Sequence, residues 1–239
     1  MKLKMKLKMK TQTILSLGIT GAMFTGASAA TITIDNAGFD ATSVGDGLFT
    51  AGVVTDWSVA GGGGTVNPTA ANATPTSGDN VAYASDGSAV VSQSTGHALL
   101  ADTIYTLTVN VGSQAAFDDL SWKIQLVTLD GVTLTDYAQA FLNDDGPAVT
   151  TGTQDGTTSA GHVYGGVPAL GTLTQATLTW TTGAAPTGLG DDLTVRLIGA
   201  AGDQAIFDDV ALSYVPVPEP SSTALLGLGG LALILRRRI

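Results

Sequence analysis

The chain has 239 residues, 44% hydrophobic and 13% charged, with 31 glycines and no cysteine, so it supports one sizeable core while disulfides and thiol chemistry are excluded. Its charge is segregated: Lys2, Lys4, Lys6, Lys8 and Lys10 open the chain, Arg236, Arg237 and Arg238 close it, and Thr31 to Val217 holds 19 Asp, no Glu and only Lys123 and Arg196, a net of −17. Such a body repels phosphate backbones, which excludes a nucleic-acid partner, and it stays soluble or attracts divalent cations through its carboxylates.

Residues 1–30 read as an export signal: a lysine-rich start, an apolar run from Ile14 to Phe24, and the small residues Ala27-Ser28-Ala29-Ala30. Signal peptidase is the partner this implies, with the mature chain starting at Ala30 or Thr31. Residues 31–215 then read as one all-β domain. Alternation is strictest at Thr103–Val111, where Tyr105, Leu107, Val109 and Val111 share a face. It returns at 121–128 with Trp122, Ile124 and Leu126 inward, at 172–180 with Ala176, Leu178 and Trp180, and at 192–198 with Leu193, Val195 and Leu197. Shorter strands are expected at 31–34, 55–60, 80–83 and 89–93, and Gly, Asp, Asn and Pro clusters separate the runs, including a long loop over 143–168. Short strands and no helical pattern predict a single β-sandwich, jelly roll in type, with an immunoglobulin-like sandwich as the alternative.

One segment repeats: "QAAFDDL" at Gln114–Leu120 returns as "QAIFDDV" at Gln204–Val210. In each, strand parity puts the first aspartate with apolar neighbours, Asp118 with Leu120 and Trp122, and Asp208 with Val210, Leu212 and Tyr214. A carboxylate aimed at a core needs hydrogen bonds, a cation or a counter-charge, and two basic residues cannot pair with them all. Backbone amides at a sandwich corner are one answer; calcium, which takes carboxylate and carbonyl oxygens, is the other.

Residues 216–239 form a separate unit. Thr223 to Leu235 is 13 residues without a charge, which as a helix reaches about 20 Å against a hydrocarbon core of about 30 Å. That suits a transient hold in the inner membrane by a short apolar helix, with the arginines on the cytoplasmic side. Val217-Pro218-Glu219-Pro220, the apolar run and Arg236-Arg237-Arg238 together resemble the PEP-CTERM sorting signal of Gram-negative bacteria. The resemblance implies an exosortase-type protease as partner, cleavage near Pro-Glu-Pro, and a product released or attached at the cell surface, often in polysaccharide-rich biofilms.

The body resembles the galactose-binding-like jelly rolls of carbohydrate-binding modules, on "IDNAGFD" (Ile34–Asp40), Trp57, "VVSQST" (Val90–Thr95), "YTLTVNVG" (Tyr105–Gly112) and "FDDVALSY" (Phe207–Tyr214). The resemblance implies a structural calcium at Asp35 and Asp208. Sugars are held by aromatic faces and planar hydrogen-bonding groups; with Trp122, Trp180 and Tyr105 assigned to the core, Trp57, Tyr83, Tyr137 and Tyr164 remain as candidate contacts, of which Trp57, Tyr137 and Tyr164 are preferred, the last two in loop-like settings. Catalytic patterns are missing: there is no Gly-x-Ser-x-Gly elbow or phosphate-binding glycine motif, and His97 and His162 stand alone. The sequence thus predicts an exported, exosortase-processed surface or matrix protein with a non-catalytic β-sandwich, or alternatively a module that binds exopolysaccharide.

Overall fold

The alternating runs become the central strands of an all-β body. The structure, a computed structural model, describes residues 28–114, 122–128, 137–142, 151–155, 170–186, 188–199 and 204–217, with the side chains of 86–88, 137–142 and 151–155 left aside. The strands are β1 (Ala30–Ile32), β2 (Phe49–Ala51), β3 (Ser58–Val66), β4 (Val81–Ala98), β5 (Thr103–Ser113), β6 (Trp122–Thr128), β7 (Tyr137–Leu142), β8 (Thr151–Asp155), β9 (Leu173–Thr181), β10 (Asp192–Gly199) and β11 (Gln204–Pro216). Among the described residues there is no helix. Residues 1–27 of the export segment, residues 218–239 of the sorting segment, Asp118, Tyr164 and His162 lie outside the described residues.

The strands run in the order β7-β6-β10-β4-β11-β5-β9-β8, with β3 also on β4, β2 on β3 and β1 on β11. All pairs are antiparallel except β8 with β9. The 18-residue β4 joins the two sides of the sandwich: Ala82–Ser85 pair with β11, whereas Val90–Ala98 pair with β10. Close approach at this crossing requires glycine, since a Cβ on Gly199 would collide with the Ala84 carbonyl.

All the residues expected inward on β5, β6, β9 and β10 meet in one buried core, joined by Ala89 and Val91 of β4 and Phe207, Val210 and Leu212 of β11. Trp180 lies against Tyr105 with ring centroids 5.9 Å apart. Burying such rings contributes about 2–3 kcal/mol each by transfer alone. The jelly-roll-like sandwich read from the sequence is the observed architecture. Several strand assignments differ: β2 is not among the expected strands, and β3 continues through the Gly61–Gly64 run that reads as a separator. The segments at 80–83 and 89–93 are one continuous strand, because the intervening Asp86-Gly87-Ser88, though turn-like in composition, stays extended across the sandwich edge. The long loop contains β8. Tyr137 opens β7 instead of sitting in a loop, its alanine-rich strand held by register against β6, with Val127 opposite Tyr137 and Trp122 opposite Leu142.

Candidate functional site around Asp208

The second of the repeated segments lies on β11, where the register breaks. Phe207 stands opposite Val111 and Asp208 opposite Asn110, but the next pair is Ala211 with Thr108, so β11 carries one extra residue here. Asp209 takes up the bulge with a positive φ of 48°, a conformation Asp tolerates better than most residues. The bulge reverses the alternation. Phe207, Val210 and Leu212 enter the main core, while Asp208 lies on the opposite face, beside a smaller apolar cluster of Val66, Ala73, Val81, Tyr83 and Ile206. The expectation that Asp208 shares a face with Val210, Leu212 and Tyr214 is corrected by this extra residue, although the carboxylate is indeed fully buried.

What buries it is the loop between β3 and β4. Ala73 anchors the loop in the smaller cluster, and residues 76–80 close over the carboxylate. Asp208 Oδ2 accepts hydrogen bonds from the Thr76 amide (2.7 Å), the Thr76 hydroxyl (2.7 Å) and the Ser77 amide (3.0 Å). Oδ1 accepts from the Ser77 hydroxyl (3.2 Å) and from the Asp209 amide (2.8 Å). Asn110, across the register, donates to the Thr76 hydroxyl (3.0 Å) and to Asp209 Oδ2 (3.2 Å), tying both strands to the cover. Asp40 holds the far end of the same loop, its Oδ1 accepting from the Asp79 and Asn80 amides at 3.0 Å each. Gly78 is needed between them: its φ is +51°, and a Cβ would overlap the Asp40 carboxylate.

Burial pushes the pKa of Asp208 up, and the donors of Ser77 and Thr76 pull it part of the way back. All five partners of this carboxylate are donors, a shell suited to an anion. That donor set does not fit a shared cation at Asp208. Asp35, its expected companion, engages elsewhere through its backbone: its amide donates to Gln93 Oε1, and its carbonyl accepts from Gln93 Nε2 and the Trp57 indole, all at 3.0 Å. Among the described residues no three His, Cys, Asp or Glu side chains are grouped to hold a metal.

The sugar-contact candidates fare differently. Trp57 is buried, with its ring 5.2 Å from Phe39, and so packs in the core instead of offering a face to solvent. Tyr137 is on β7 and Tyr164 is outside the described residues. His97 sits in an aromatic group at the other end of β5, 4.8 Å from Tyr214 and 6.1 Å from Tyr105. Burial lowers its pKa.

Thr76, Ser77, Asp40 and Asn110 were not singled out by sequence reasoning. The signal was present in "TPTSGDN" (Thr74–Asn80), where small hydroxyls beside a glycine form the kind of loop that cradles an anion, but it reads equally as a linker.

Comparison with known proteins places this geometry in a family. The HpiC1-like model, described as HpiC1 cyclase, matches residues 30–213, and the PEP-CTERM protein-sorting motif matches residues 216–238. That motif marks an exported protein processed by an exosortase and destined for the surface or exterior of a Gram-negative cell. A cyclase from Fischerella sp. TAU is 22% identical, with 80% of this chain and 100% of that chain covered and a TM-score of 0.58. A cyclase from the same organism in complex with 4-(1H-indol-3-yl)butan-2-one is 21% identical over 79% of this chain and 99% of that one, with a TM-score of 0.57. The CBM22-1 xylan-binding domain from Paenibacillus barcinonensis is 14% identical over 72% of this chain and 95% of that one, at a TM-score of 0.42. No curated protein matches the chain. The expectation of a body outside enzyme families is overturned by the match over residues 30–213: the chain belongs to the HpiC1-like family, whose model is described as a cyclase.

Proposed function

We propose that this chain is an exported cyclase that closes a ring in a small organic molecule, with Asp208 as its proton donor. The observation that carries this reading is a fully buried carboxyl whose pKa is raised by burial and which is held under a loop by hydrogen bonds. A general acid needs a proton at working pH, and exclusion of water is the means by which proteins supply it. Thr76 and Ser77 oppose that effect while they donate to the carboxylate. A ligand that displaces them and keeps water out leaves burial unopposed, so Asp208 takes up a proton as the ligand seats. It gives that proton to a basic atom of the ligand, the resulting cation is attacked by a π-bond of the same molecule, and loss of a proton from the new ring returns the acid. Asn110 and Asp209, hydrogen-bonded to one another beside the carboxyl, are the polar side chains at hand for orienting polar groups of the ligand.

The Fischerella protein's indole ketone supplies the first probe. Binding of 4-(1H-indol-3-yl)butan-2-one and related indoles to the purified mature protein, followed by ligand-observed NMR, is expected to be saturable and to be lost in Asp208→Ala with circular dichroism unchanged. Product formation from indole-bearing alkenes should fall by at least about 100-fold in Asp208→Asn, the lower range for loss of a general acid. Binding of polysaccharides on a glycan screen, with no indole binding, would overturn the proposal in favour of an exopolysaccharide-binding module.

A further inference from the structure

The two ends of the body emerge at one pole. β1 and β11 are antiparallel with Ala30 opposite Tyr214, and β11 ends with Pro216 opposite Thr103, the first residue of β5. Val217 is still part of the fold, since its amide donates to the Asp102 carbonyl at 2.7 Å. Two turns complete the pole: Asp102 donates to the Gly183 carbonyl at 3.0 Å, Leu99 donates to Asp191 at 2.8 Å, and Gly190 donates back to Leu99 at 3.0 Å. These bonds set Leu100 and Leu189 on adjacent turns, 37% and 53% exposed. The opposite pole is marked by Ser113, whose carbonyl accepts from Gly171 at 3.0 Å, next to Leu170, which is 42% exposed. The 11 residues of β5 separate the poles, about 33 Å for an extended strand.

The sorting motif begins without a linker. Between Val217 and the uncharged run at Thr223 lie only the five residues 218–222, which span at most about 18 Å fully extended. The headgroup layer takes up about 6 Å of that length on each side of a bilayer. A body tethered so tightly cannot hang free of the membrane. Resting on the sorting reading of residues 216–238, we propose that before cleavage this pole lies on the lipid headgroups, with Leu100 and Leu189 as the side chains that contact lipid. The fold then presents the Pro218-Glu219-Pro220 segment to a membrane protease at a fixed height. Exposed Asp102 and Asp192 flank the leucines, so the contact favours zwitterionic over anionic lipid.

The cysteine-free sequence makes the test direct. Leu100→Cys, Leu189→Cys, Leu170→Cys and Ala232→Cys are introduced singly into the chain from Thr31 to Ile239, without the export segment, coupled to a fluorophore, and reconstituted in phosphatidylcholine vesicles containing brominated acyl chains as quencher. Quenching at 100 and 189 at least about twofold above that at 170, with strong quenching at 232, is the expected result. Equal quenching at 100, 189 and 170 would overturn the proposal, because the body would then lie on its side or hang free. No quenching at 232 would remove the membrane hold by the sorting segment, and the proposal with it; quenching at 232 alone would remove only the contact at the pole. A variant with twenty Gly/Ser residues inserted after Val217 guards against local effects of the cysteines. Its linker averages about 25 Å end to end, so quenching at 100 and 189 should fall to the level at 170 while that at 232 persists; unchanged quenching at 100 and 189 would show that the leucines do not depend on the short tether and would overturn the proposal.

Discussion

β5 and β11 lie side by side in the same sheet, yet one declares its inward face in sequence and the other conceals it. In β5, Tyr105, Leu107, Val109 and Val111 alternate with polar residues and all four are buried. In β11 the same rule works from Leu212 back to Val210 and then fails, because the extra residue at Asp208-Asp209 shifts every earlier side chain to the other face. The difference teaches that alternation identifies a face only as far as the next bulge. A bulge is also where a polar side chain can be buried without entering the apolar core. Asp208 is buried against a loop that carries its own hydrogen-bond donors, and the sheet has only to deliver it there.

The comparison can be broken first on its regular side. Trp180→Ala removes a ring that fills the space between β9 and β5 against Tyr105, and a cost of about 3–5 kcal/mol is expected, a large fraction of the stability of an ordinary domain. Thermal and urea unfolding followed by tryptophan fluorescence and circular dichroism measure it. A loss under about 1 kcal/mol would mean that the two sides of the sandwich are not closed on one another as described.

On the irregular side, Asp208→Asn should cost about 2–4 kcal/mol, because the new Nδ2 group faces donors from Thr76 or Ser77 and strands them. Hydrogen exchange sharpens the point: amides of 76–80 should lose protection in this variant while those of β5 and β9 keep theirs. The same variant decides between the two sequence readings of the aspartate. With five donors around it, Asp208 should contribute equally in chelator and in millimolar calcium. A calcium-dependent melting midpoint that vanishes in Asp208→Asn would establish a cation at the carboxylate and overturn the all-donor description.

How much could be read in advance follows from the same physics. The inward residues of β5, β6, β9 and β10 were legible because each strand is regular and covered on one face by the opposite sheet. β4 was legible only in pieces, since Asp86-Gly87-Ser88 carries turn chemistry in a strand kept extended by its neighbours. Trp57 was placed among ligand contacts because an aromatic near a loop looks available; its burial depends on Phe39 and on the Asp35 carbonyl, a long-range arrangement that no local pattern encodes. The Asp208 site was half legible. The repeated Phe-Asp-Asp marked the residue and the need for partners, but those partners come from a loop 131 or 132 residues earlier in the chain. Family membership rests on the match over residues 30–213 and not on any catalytic pattern singled out in the sequence.

The smallest expected effect lies at the far end of β5 and β11, where the two strands are again in regular register. His97 packs on Tyr214 and Tyr105 there, its Nε2 is buried with no hydrogen-bond partner, and burial lowers its pKa. The folded protein therefore binds this proton less readily than the unfolded chain. Above the ordinary histidine range, near pH 6.5, both states are neutral and the residue has no effect on pH dependence. As pH falls below that value the unfolded chain takes up the proton first, so stability is lost progressively until the folded state also titrates. The melting midpoint should accordingly fall between pH 7 and 5 by a small amount that His97→Gln abolishes, since glutamine is polar but does not titrate in this range. Paired melting curves of the wild type and the variant across that interval isolate the difference. A wild type that gains stability relative to the variant on acidification would mean that the folded state holds the proton more tightly, as it would if a nearby carboxylate such as Asp192, opposite Ala98 on β4, outweighed the burial of the ring.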